Sequence, residues 1–141
     1  MVAAYDYVRR RYGVDPIVGR AARHLETGED CVIARPGRSQ QHYVRVRFAG
    51  RRHAANSHPT ALDYDPAPRI ALEALTAPLV AFFAAQPVRI WSGEHRAWWR
   101  PDCAGYTVHV DRAGIYSLGY AYSATSHVGP EKQVKFEQVR A

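Results

Sequence analysis

The chain has 141 residues, a net charge of +6 and a pI of about 9.6. Its 47% hydrophobic and 23% charged residues are an ordinary globular balance, which excludes wholesale disorder. The longest apolar run, residues 77–85, is about half of the roughly 18–20 residues that a membrane span needs, and two distant cysteines exclude a disulfide framework.

Residues 3–12 place Tyr5, Val8 and Tyr12 on one face at helical spacing. Gly13 ends that helix and Asp15-Pro16 turns the chain. This opening stretch lacks the apolar core of a signal peptide, so a cytoplasmic location is expected. Cys31 and Cys103 then read as small apolar or half-buried residues in a reducing compartment.

From residue 17 the pattern changes to short strands. Residues 19–25 are one, Glu26-Thr27-Gly28-Glu29-Asp30 is a turn, and residues 31–34 are a second strand. Residues 35–41 are a loop containing Pro36-Gly37 and Ser39. Residues 43–48 alternate most cleanly, with Tyr43, Arg45 and Arg47 on one face and Val44, Val46 and Phe48 on the other. Ala49-Gly50 turns toward a fourth strand at 52–55. His58-Pro59-Thr60, a capped turn, leads to a last segment at 61–64.

The succession Val18-Gly19-Arg20, His24, Thr27-Gly28, short strand, loop, Tyr43-Val44-Arg45-Val46-Arg47-Phe48 and Gly50 resembles the SH3-like barrels of the KOW and Tudor type over residues 17–65. The resemblance implies a small barrel that binds RNA, DNA, methylated tails or protein segments. Tyr43, Phe48 and Tyr64 do not assemble into the aromatic cage that methyl binding needs.

Asp65-Pro66-Ala67-Pro68 is a stiff linker. Thr76 as N-cap and Pro78 in the first turn start a helix through Gln86, closed by Pro87. Leu79, Val80, Phe82 and Phe83 make it a buried packing helix by expectation. Residues 88–91 and 96–100 are strands around a turn at 92–95. Ser117 caps a helix through His127, Gly129-Pro130 ends it, and residues 133–139 alternate as a last strand.

The string Ile90-Trp91-Ser92-Gly93-Glu94-His95-Arg96-Ala97-Trp98-Trp99-Arg100-Pro101, with Gly105-Tyr106-Thr107 and Ala113-Gly114 before Tyr116-Ser117, resembles short uncharacterised proteins of phages and bacterial mobile elements over residues 88–128. The resemblance implies an origin and no activity.

Trp98 and Trp99 must face opposite sides of their strand, so one enters the core and the other is partly exposed beside Arg96 or Arg100. Trp91, Trp98, Trp99, Arg96, Arg100 and Tyr106 are therefore candidates for a partner or ligand contact. A tryptophan beside arginine stacks a base or anchors a protein interface, or it simply covers the core.

Arg35 and Arg38 in the loop, Arg45 and Arg47 on one strand face, and Arg51 and Arg52 beyond it are candidates for a phosphate-binding patch. The alternative is the polar outer face that any half-solvated sheet carries. Residues 1–66 hold 11 arginines against 7 acidic residues.

Catalytic patterns are weak. Glu94-His95 is an acid–base pair or a surface turn. His53 and His58, with Cys31, lack the spacing of a metal site. Ser57, His58 and Asp63 come without a nucleophile elbow, and there is no Walker loop or GxGxxG. No enzyme, metal or cofactor is expected.

The expected fold is α+β: residues 1–66 as an SH3-like small β-barrel with a short N-terminal helix, residues 67–87 as linker and packing helix, and residues 88–141 as a β-β-α-β module. The expected function is binding without catalysis, to nucleic acid or to a nucleic-acid-handling host protein complex, as an anti-CRISPR-like inhibitor does. The alternatives are a binder of a small nucleotide signal and a structural or assembly protein. No membrane contact is expected.

Overall fold

The computed structural model describes residues 4–38 and 42–140. Ala3, at the start of the expected first helix, and residues 39–41 of the expected loop lie outside them. The fold is α+β, with helices and antiparallel sheets in two compact units, Met1–Pro66 and Ala67–Ala141. Among the described residues no helix is long and apolar enough to cross a membrane.

In the first unit, helix α1 spans Asp6–Tyr12. Gly13 ends it with φ 68°, the left-handed conformation glycine adopts at least cost, and donates its N–H to the Arg9 carbonyl. Five strands follow: β1 (Ala21–His24), β2 (Asp30–Ile33), β3 (Val44–Phe48), β4 (Ala55–Ser57) and β5 (Leu62–Asp63). Their order in the sheet is β4-β3-β2-β1-β5, antiparallel throughout.

The strand period of two sends Ala22, Cys31, Ile33, Val44, Val46 and Leu62 inward, where Tyr5 and Val8 join them. The fourth strand forms at Ala55–Ser57 and not at 52–55. Pairing Val44 with Ser57 and Val46 with Ala55 leaves Arg51, Arg52 and His53 in an exposed turn, where their polar ends stay hydrated.

In the second unit the elements are β6 (Ile70–Ala71), α2 (Ala77–Phe82), β7 (Pro87–Ser92), β8 (Ala97–Trp99), β9 (Tyr106–Thr107), β10 (Tyr116–Ser117), α3 (Leu118–Thr125) and β11 (Lys135–Gln138). The sheet runs β6-β11-β7-β8-β9, and β10 also pairs with β7. The strand-strand-helix-strand expectation therefore lacked β6, β9 and β10. Each is two residues long, too short to show an alternation in sequence.

Leu72, Leu75, Val80, Val88, Ile90, Leu118, Ala121, Val134 and Phe136 form one core between this sheet and the helices. Ser117 caps α3 as expected, accepting from the Tyr120 N–H at 3.2 Å. The helix stops at Thr125, short of His127.

The expectation for α2 needs correction. The helix has six residues, ends at Phe82, and buries only Val80. Phe82 is 80% exposed, and Leu79 and Phe83 are exposed as well. A helix of under two turns puts one narrow side against the core, so the wide apolar surface cannot all be covered. Pro87 opens β7 and does not close the helix.

Candidate nucleic-acid interface

Strand β3 carries the candidate site. Val44 and Val46 are fully buried, which turns Arg45 and Arg47 to the outer face of the first sheet. Register decides what surrounds them. Arg45 lies opposite Asn56 of β4, and Arg47 opposite Val32 of β2, whose own neighbour on β1 is Ala21.

The nearest acidic residue of this face, Asp30, is one same-face step along β2 from Val32, and it is engaged by β1. Asp30 accepts from Arg23 at 2.8 Å, and Asp63 lies opposite Arg23. Among the described residues neither Arg45 nor Arg47 forms an ion pair. Their charge is thus available to an outside anion.

The segment after β2 is drawn over this end of the sheet. Ala34 donates to the Arg45 carbonyl at 2.9 Å, and a Cβ on Gly37 would meet the Arg45 Cδ at 3.4 Å. Arg35 and Arg38 are exposed on that segment, and Arg51 and Arg52 are exposed in the turn past β3. All six candidate arginines lie on or next to β3, with Arg45 half-buried along its stem.

The tryptophan candidates are placed differently. Trp91 and Trp98 are register partners on one face of β7 and β8, with ring centroids 5.1 Å apart. Trp98 is 0% exposed, and the Arg69 guanidinium lies 4.7 Å from its ring centroid. Arg69 also donates to the Glu137 carboxylate from Nε at 2.9 Å and from its terminal nitrogen at 2.7 Å. Trp98 and Trp91 thus have no face open for a stacking partner.

Trp99 points to the opposite side, half-buried, with its ring edge-on to Tyr116 at 6.2 Å. Arg96 is half-buried with φ 48°, and Arg100 is exposed. Tyr106 is exposed, but its ring stacks on His95 at 4.0 Å, so one of its faces is occupied. The structure does not gather these six residues into one exposed patch.

His53 is exposed in the turn after β3. His24 and His58 accept from the Thr27 and Thr60 N–H groups, each closing a turn. Cys31 is a core residue, and burial pushes its thiol up to about 12. His95 Nδ1 lies 3.0 Å from the Ser92 hydroxyl and 4.0 Å from Glu94. Glu94 is bound by Lys132 at 2.6 Å, which holds its carboxyl below the usual value. No three His, Cys, Asp or Glu side chains cluster as metal ligands among the described residues.

Cys103 differs from the expectation of a half-buried thiol. It is exposed, because Asp102 and Cys103 take left-handed φ values of 59° and 56° in the β8–β9 connection. The Tyr116 hydroxyl pins this connection, accepting from the Cys103 N–H at 3.0 Å and donating to the Arg100 carbonyl.

No family model, curated protein or solved structure matches the chain.

Proposed function

We propose that the chain is a non-catalytic binding protein whose first unit docks on nucleic-acid phosphates through the outer face of β3. One observation carries this reading: Arg45 and Arg47 project side by side, opposite Asn56 and Val32, with no carboxylate taking their charge among the described residues. Guanidinium groups suit planar, bidentate contact with phosphate oxygens. Arg35 and Arg38 extend the charge beyond the strand.

An SH3-like barrel is the finer fold reading for the first unit. It is supported by five short antiparallel strands against one core, in which β1 pairs with both β2 and β5, so that the first and last strands of the unit lie side by side. Interference with a host nucleic-acid-handling complex, of the anti-CRISPR kind, is the biological form this binding takes in our proposal. It rests on the resemblance of residues 88–128 to phage-type proteins.

The test is fluorescence anisotropy with labelled oligonucleotides across a salt series. The proposal expects affinity to fall steeply with salt, and the R45A/R47A double variant to lower the slope of log K against log salt by about 2. An affinity unchanged in the double variant rejects the site.

A second reading has its own support. Phe82 projects from a segment, residues 74–88, that holds no charged side chain, and its ring packs edge-on to Phe83 at 4.8 Å. An uncharged, exposed aromatic pair suits a protein contact, as in an assembly protein, and offers nothing to phosphate.

A further inference from the structure

Two groups that phosphate binding does not use stand beside Arg45 and Arg47, one on β2 and one in the bend before β3. Val32 is 47% exposed and lies directly opposite Arg47. Tyr43 is 43% exposed, two residues before Arg45, and its ring has no aromatic partner among the described residues. Exposed apolar and aromatic surface set among arginines is area that a ligand can remove from water while the cations hold its phosphates.

A duplex keeps its base faces inside its own stack and presents phosphates and groove edges to a flat sheet. Such a ligand gains from Arg45 and Arg47 and leaves Val32 and Tyr43 unused. An unpaired strand presents both parts together: a phosphate at each nucleotide and a base face beside it. Arginines that track the backbone and an aromatic ring that stacks a base are the two components of single-strand recognition.

The spacing agrees with this. Alternate residues of a strand project on one side about 7 Å apart, which sets Arg45 and Arg47 at that spacing, and Tyr43 stands in the bend that leads into β3, two residues before Arg45. Asn56, across from Arg45, adds an amide that donates to and accepts from base edges.

We infer that the outer face of β3 is built for single-stranded nucleic acid, with Arg45 and Arg47 on the phosphates and Tyr43 and Val32 under the bases. This inference rests on the phosphate-docking reading above and goes further in choosing the strand state.

The experiment compares one labelled oligonucleotide, unpaired and as its duplex, at the same salt. The chain without substitution is expected to bind the unpaired strand at least tenfold more tightly. Tyr43→Ala is expected to weaken the unpaired strand about tenfold and leave the duplex unchanged. Val32→Ser is expected to weaken the unpaired strand about threefold. R45A/R47A weakens both forms.

Both Tyr43 and Val32 are exposed, and an unchanged urea midpoint verifies that each variant folds. Equal or tighter duplex binding, or a Tyr43→Ala effect of the same size on both forms, overturns the single-strand assignment while leaving phosphate docking in place. Failure of R45A/R47A to weaken either form overturns both.

Discussion

The Tyr5 hydroxyl accepts from the Arg45 N–H at 3.0 Å and donates to the Ala34 carbonyl at 2.7 Å. One phenol thereby joins the end of β2 to β3 at the point where the basic segment departs. Tyr5 reaches this position because it stands just before α1 in a left-handed conformation, φ 65°, which turns its ring into the core of the first unit. The residue that braces the candidate site thus lies 40 positions away from it in sequence.

Tyr5→Phe keeps the ring and removes this double bond. The Arg45 N–H and the Ala34 carbonyl lose a partner in a part-buried setting, so the variant should be about 2 kcal/mol less stable. Urea unfolding measures this directly. A change under about 0.5 kcal/mol would show that water replaces the phenol.

Stability should fall on the alkaline side. Burial pushes Cys31 from its ordinary 9.0, and Tyr64 from its ordinary 10.0, up to about 12. Both groups are neutral in the fold and ionise earlier in the unfolded chain. Their contribution is present in full below pH 9 and is lost as pH rises toward about 12. Urea midpoints at pH 8 and pH 11 should differ in that direction, and Cys31→Ala should flatten the part of the decline that begins near pH 9.

Arg69 bridges Glu137 and the Trp98 ring with its side chain 2% exposed. Arg69→Ala leaves the part-buried Glu137 carboxylate with only the longer Arg89 contact at 3.5 Å and opens the covered ring, which should cost about 2 kcal/mol. Arg69→Lys keeps the charge without the planar fork and should recover only part of the loss. A thermal melt of the two variants separates these effects.

Of the three tryptophans, only Trp99 keeps partial exposure; Trp91 and Trp98 are buried. Iodide should therefore quench a minor fraction of the fluorescence, and Trp99→Phe should abolish that fraction. Full quenching of all three would mean that the Arg69 cover opens in solution.

Phe82→Ser should change stability by no more than about 0.5 kcal/mol, since the ring is already in water. Phe136→Ala, in the centre of the second core, should cost about 3–5 kcal/mol. If Phe82 serves a protein contact, Phe82→Ser lowers the mass seen by light scattering or releases a captured partner at unchanged stability.

Local pattern in the sequence determined a good part of this protein. Alternation in residues 43–48 placed Arg45 and Arg47 together on the outer side of β3, because a strand's period of two depends on nothing beyond itself. The same rule put Trp98 and Trp99 on opposite sides, and Ser117 marked the start of α3 through its own side-chain bond. Tertiary structure decided the rest. Which tryptophan lies under Arg69, that Val32 faces Arg47, that Phe82 stays in water, and that three two-residue strands complete the second sheet all follow from register and packing between distant segments. Those choices depend on pairing free energies summed over the whole core, and no short window of sequence contains them.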